Sequence, residues 1–296
     1  MLTKKTSHVE CRTEKAKLWK PACLTLGCLL LISANGQGRD YTAIQIGFHA
    51  WASGVNNVGQ VVGYSNAINI GAFLWTEDGG FQDLPPLAGF FAEASAINDA
   101  GQIVGISLTS VGDFDAVMWT ADGGIQDLGT LGGDYAFAVG INNAGQVVGQ
   151  SAKASGEMRA FLWTAKSGMQ DLGTLGGAWS NGQGINNTGS VVGSATTANG
   201  ETHAFLWTAK SGMQDLGTLG SALSFGYRIN DRGQVVGWAQ TPSGQSHVFL
   251  WTPKKGMQDL GALVEGNTFP GAINNAGLVV GWHTDFQYAL VWVPTN

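Results

Sequence analysis

The sequence predicts an all-β fold made of six copies of one four-stranded unit, on the strength of three observations. A 44-residue unit returns almost verbatim, since Ala160 to Leu172 and Ala204 to Leu216 both read AFLWTAKSGMQDL. A period in the forties marks a repeat architecture in which neighbouring units share a core. No stretch carries the apolar spacing of a helix. Forty-five glycines and only 12% charged residues suit tightly turned strands buried on many sides.

Landmarks within the unit set the count. A tryptophan closes an apolar stretch at Trp75, Trp119, Trp163, Trp207, Trp251 and Trp292, and an asparagine opens a turn at Asn56, Asn98, Asn142, Asn186, Asn230 and Asn274. Gln-Asp-Leu follows at Gln82, Gln126, Gln170, Gln214 and Gln258, with a shortened version, Ile44 to Gly47, ahead of the first asparagine. Six units therefore fill Tyr41 to Asn296.

Four strands are expected in each unit. In one copy they are Ala178 to Asn186, Ser190 to Ser194, His203 to Thr208 and Met213 to Leu216, with β-branched, aromatic or alternating residues between Gly, Asn and Ser clusters. Asn186-Asn187-Thr188-Gly189 is short enough for a hairpin, with Gly189 free to take a positive φ. Ala165 to Gly168 joins the tryptophan strand to the Gln-Asp-Leu strand in the same way. The path from Leu172 through Gly177 is longer and glycine-rich, as a crossing between sheets requires.

That phase leaves a lone Gln-Asp-Leu-like strand, Ile44 to Gly47, at the start and an unpartnered tryptophan strand, Tyr288 to Val293, at the finish. Pairing the two closes a six-bladed β-propeller of four-stranded antiparallel blades, with the N-terminal strand completing the last blade and protecting its edge. A linear β-solenoid is the runner-up, but its coils usually have shorter repeats.

Residues 1–36 differ in kind. The first 20 hold six Lys/Arg against two acidic residues, Ala22 to Ile32 is apolar, and Ala34-Asn35-Gly36 offers small residues at cleavage spacing. This is the pattern of a secretory signal peptide, and an 11-residue apolar run is too short for a bilayer span. Residues 37–296 are expected as the exported propeller domain, secreted or periplasmic. All three cysteines lie in the leader, so that domain would hold no disulfide or thiolate metal site. It would carry nine Lys/Arg against 19 Asp/Glu, a balance that disfavours nucleic acid and anionic membranes. Closure of its ends would favour a monomer.

The runs INNAGQVVG (Ile141 to Gly149), HAFLWT (His203 to Thr208) and GMQDLGTLG (Gly212 to Gly220) resemble the bacterial extracellular HAF repeat family. The resemblance covers residues 41–296 and implies export and a repeated β-fold, with no established reaction, ligand or cofactor. Some relatives end in a Pro-Glu-Pro sorting tail, whereas this chain ends Val293-Pro294-Thr295-Asn296, so surface anchoring is not expected.

Differences among the copies point to a candidate site. The Asn/Gly hairpins and Gly-Met-Gln-Asp-Leu turns hardly vary and are expected on one face as framework, with each repeated Asp accepting backbone N–H bonds. The opposite face varies. Seven residues before each Asn stand His49, Phe91, Tyr135, Trp179, Leu223 and Asn267, and five before stand Trp51, Glu93, Phe137, Asn181, Phe225 and Phe269. After each Val-Val-Gly or its equivalent stand Tyr64, Ile106, Gln150, Ser194, Trp238 and Trp282. Tyr64, Trp238 and Trp282 come from neighbouring units of a closed ring, with His283 and Asp285 beside them. Aromatic faces near polar groups suit stacking on sugar rings or gripping peptide side chains, so the expected partner is an extracellular glycan or protein.

An enzyme has less to draw on. A hydrolase or lyase at the channel mouth would use unrepeated groups such as Glu93, Asp134, Arg228, Glu265, His283 and Asp285, but no spacing singles out a set. His203 and His247 occupy equivalent positions and are expected as solvated strand-end residues rather than zinc ligands. No metal or other cofactor is expected. A passive structural repeat protein is the third alternative.

Overall fold

The computed structural model describes Ile32–Ser33, Thr42–Ala43, Ile46 and residues 49–296 apart from 67–70, 121, 123, 262–265, 285–287 and 295–296. Two compact units divide the chain at residue 45. In the first, β1 (Ile32–Ser33) pairs antiparallel with β2 (Thr42–Ala43). The expected signal peptide and its cleavage point otherwise lie outside the described residues.

The described residues of the second compact unit form strands joined by turns, in six repeat units. Unit one holds β3 (Ala50–Val55), β4 (Val61–Ser65), β5 (Gly71–Thr76) and β6 (Gly80–Asp83). Unit two holds β7 (Ala92–Ile97), β8 (Ile103–Leu108), β9 (Phe114–Trp119) and β10 (Ile125–Gly129). Unit three holds β11 (Gly132–Ile141), β12 (Val147–Lys153), β13 (Met158–Thr164) and β14 (Gly168–Asp171). Unit four holds β15 (Gly176–Ile185), β16 (Val191–Thr197), β17 (Thr202–Thr208) and β18 (Gly212–Asp215). Unit five holds β19 (Ser224–Ile229), β20 (Val235–Gln240), β21 (Ser246–Thr252) and β22 (Gly256–Asp259). Unit six holds β23 (Thr268–Ile273), β24 (Val279–His283) and β25 (Tyr288–Trp292).

Within each unit consecutive strands pair antiparallel, in the order the turn lengths predict. A parallel contact between Tyr135 and Phe114 joins units two and three into one eight-stranded sheet. The crossings are shorter than expected, because β11 and β15 already begin at Gly132 and Gly176. Unit six shows three strands, and Ile44, Gln45 and Gly47, predicted to supply its fourth, lie outside the described residues.

The recurrent sequence Asn-x-x-Gly-Gln has a direct physical cause. Asn142 Oδ1 accepts the N–H groups of Ala144 and Gln146, its Nδ2 donates to Gln146 Oε1, and Gly145 N–H returns to Asn142 O. One side chain thereby satisfies the whole turn, and the glycine at its end takes the positive φ, +79° at Gly189, that a side chain would resist. The glycine after Val-Val is required for space instead. A Cβ on Gly149 would sit 1.9 Å from Phe137 O on the neighbouring strand.

Core residues lie between units rather than within them. The first Val of the second strand faces the preceding unit and the second Val faces the next: Val147 packs with Val104 and Met118, while Val148 packs with Val191, Phe205 and Trp207. Five such clusters fill the junctions from units one and two to units five and six. Trp119 and Trp292 lie in these clusters and also donate an indole N–H to Pro85 O and Leu260 O. Trp119, Trp163, Trp207, Trp251 and Trp292 therefore fill gaps between units.

Candidate functional site

All six units meet around one cavity of about 400 Å³, lined by the Ile/Val, Asn and Asn/Asp residues that open each turn. Two rings of hydrogen bonds build it. In the inner ring Asn56, Asn98, Asn142, Asn186 and Asn230 each donate Nδ2 to the carbonyl of the next unit's asparagine, at 2.9–3.1 Å. In the outer ring stand Asn57, Asp99, Asn143, Asn187, Asp231 and Asn275. Asp99 accepts Asn57 N–H, Asn57 Nδ2 and Asn143 Nδ2; Asp231, half a ring away, accepts Asn187 N–H, Asn187 Nδ2 and Asn275 Nδ2. These donors hold both carboxyl groups below the usual aspartate range, chiefly through the backbone N–H of Asn57 and Asn187.

This cavity lies on the repeated face, where the sequence suggested framework alone. The signal was present in the second turn residue, which is only ever Asn or Asp. Arg228, a single large side chain among the small residues two before each Asn, donates to Gln183 O and Tyr227 O. Desolvation lowers its pKa from the ordinary arginine value, although the residue as a whole keeps exposed surface.

The repeated Asp of Gln-Asp-Leu does accept backbone N–H, from Gly129 on Asp127, Gly173 on Asp171 and Gly217 on Asp215. A second role emerges only in three dimensions. The third-strand residue twelve places before that Asp faces its carboxylate in units two to five, and its identity changes from copy to copy. Lys153 and Arg159 approach Asp171 at 3.4 and 3.9 Å. His203 Nδ1 lies 2.7 Å from Asp215, and His247 Nδ1 lies 2.9 Å from Asp259. The histidines are therefore not solvated strand ends: His247 is buried, His203 is largely so, and a carboxylate across the strand fixes each ring. At the equivalent place Asp115 faces Asp127, and burial followed by the neighbouring carboxylates raises Asp115 to about 6.

At the strand ends away from the cavity, beside these pairs, lie the aromatic residues that differ from copy to copy. Cross-strand register places Trp51 beside Tyr64, Phe225 beside Trp238 and Phe269 beside Trp282. Two stacks result. One runs Trp51, Tyr64, Phe91, Phe114, with centroids 6.2, 6.0 and 5.6 Å apart. The other runs Phe225, Trp238, Phe269, Trp282, at 4.6, 5.7 and 6.0 Å. Trp51 and Trp282 end their stacks and stay 57% and 48% exposed.

The other candidates are dispersed. Tyr135 and Trp179 are half-buried, each with its carbonyl capped by a second-strand hydroxyl, from Ser151 and Thr196. His49 is exposed at φ 51°, and its carbonyl accepts Asn66 N–H. His283 is completely buried beneath the rim and offers no surface to a ligand. Asp285 and Glu265 lie outside the described residues. Among the described residues no three His, Cys, Asp or Glu side chains converge as metal ligands would.

No family model matches the chain, and no curated protein does. Solved structures do. The β-propeller domain of the Trilobed protease from Pyrococcus furiosus, described as having an open velcro topology, is 7% identical, over 88% of this chain and 89% of that one, with a TM-score of 0.55. A lectin from Burkholderia pseudomallei is 11% identical over 89% and 88%, with a TM-score of 0.50. A gluconolactonase from Xanthomonas campestris is 14% identical over 83% and 86%, with a TM-score of 0.46. Together with the sheets around a shared cavity, the first of these gives the fold as a β-propeller, and the units are its blades.

Proposed function

We propose that this protein is an exported binding module for an extracellular glycan, a six-bladed propeller related to the HAF repeat proteins that presents its ligand site on the variable rim. The two aromatic stacks carry the reading. Stacked rings with one open face at Trp51 and Trp282 offer flat, weakly hydrated surfaces of the kind that sugar rings cover. The lectin among the structural neighbours supports the fold's use for binding, as analogy only. In this reading the leader directs export, and Ile44 to Gly47 pairs with Tyr288 to Val293 to complete the sixth blade.

The test is a polysaccharide and glycan-array screen of residues 37–296 beside the Trp51→Ala/Trp282→Ala variant. Binding by the parent and its loss in the variant is the expected result. Binding that survives the double substitution places the ligand elsewhere, and capture of a protein rather than any glycan shifts the partner class.

A further inference from the structure

Five junctions between blades are built alike, and the sixth is not. Each inner-ring asparagine from Asn56 to Asn230 gives Nδ2 to the next blade's carbonyl, but among the described residues Asn274 Nδ2 has no such acceptor. Each outer-ring backbone N–H from residue 57 to residue 231 gives to the next blade's Oδ1, but Asn275 N–H does not. The acceptors that these two would need, Asn56 O and Asn57 Oδ1, stand on blade one with no inter-blade donor among the described residues. Packing stops at the same place. Val62, Val104, Val148, Val192 and Val236 are wholly buried by the following blade, whereas Val280 is 37% exposed. Val291 and Trp282 on blade six and Val55 and Trp51 on blade one are exposed with it.

The two walls of this seam are complementary because the repeat makes them so. Blade six offers two donors and an apolar strand face; blade one offers two acceptors and the face that covers such a strand at the other five junctions. We propose that the seam is a latch: it closes by forming Asn274 Nδ2 to Asn56 O and Asn275 N–H to Asn57 Oδ1, and closing covers Trp51 and Trp282. Open, it presents both rings to ligand; closed, it withdraws them. The regulatory part rests on the rim being the binding surface, while the closure stands on the seam alone.

Hydrogen exchange on the full chain tests closure without substitution. Asn275 N–H is expected to exchange more slowly than a free amide, though faster than Asp231 N–H, which has its inter-blade acceptor; exchange at the free-amide rate overturns the latch. An Asn57→Cys/Asn275→Cys variant then locks it, with Asn143→Cys/Asn187→Cys as the equivalent pair at a closed junction. Oxidation is expected to cross-link both, and only the seam pair should lose acrylamide quenching of tryptophan and binding of any glycan found in the screen. Failure of the seam pair to cross-link where the control pair does, or cross-linking with no loss of quenching, overturns the proposal. Loss of quenching with no glycan bound by either form supports the latch and rejects the rim as the glycan site.

Discussion

Asn186 reaches Asn230, 44 residues later, and donates Nδ2 to its carbonyl at 3.0 Å, while Asn186 Oδ1 accepts two N–H groups of its own turn. One buried side chain thus closes a hairpin and ties two blades. Replacing it with alanine leaves those N–H groups and a carbonyl short of partners, at about 3 kcal/mol. Asn274→Ala, which with the seam open removes only the hairpin bonds, should cost roughly 1 kcal/mol. Urea midpoints of the two variants measure the inter-blade bond by difference, and equal losses would show that it contributes nothing.

Gly149 lies against Phe137 O with no room for a side chain. Gly149→Ala should force the first two strands of blade three apart, costing about 3 kcal/mol or preventing folding. A variant with the parent's thermal midpoint would refute this account of the repeated glycine.

Trp163 is 5% exposed between blades two and three, and Trp282 is 48% exposed at the seam. Trp163→Ala should cost ~3–5 kcal/mol, and Trp282→Ala less than about 1 kcal/mol. Chemical denaturation of both reads the contrast directly. A Trp163→Ala midpoint equal to the parent's would mean that the shared core is elsewhere.

Two sets of carboxylates make stability depend on pH in opposite directions. Asp115 is raised to about 6 by burial and by Asp127, so folding favours its protonated form. That contribution is full below the unfolded value near 3.8 and is lost as pH rises through about 6. Asp127→Asn should therefore stabilise the protein at pH 8 and change little at pH 4. Asp99 and Asp231 are lowered, so their contribution is full above the unfolded value and is lost as pH falls through their folded values. Melting curves of the parent and Asp127→Asn across this range check both signs.

Much of the fold was legible because each landmark residue has a local task. The asparagine and the glycine three places later announce a turn, and Val-Val-Gly and the tryptophan mark strands whose faces alternate. The Asp accepting Gly N–H could be read from its place at a strand end. The aromatic rim was legible as a list of differing positions, and register then paired Trp51 with Tyr64 and Phe269 with Trp282. The His203–Asp215 pair was not legible. It joins residues 12 apart on adjacent strands, and only the pairing of β17 with β18 brings them together.

The repeated sequence by itself determined the all-β class, the strand order within each blade and the division into a uniform and a varied face, because those follow from turn chemistry and period-two alternation within 44 residues. Only the tertiary structure decided how blades meet. Identical residues bury a valine completely at five junctions and leave Val280 exposed at the sixth, since burial depends on what lies across the gap and not on the residue itself.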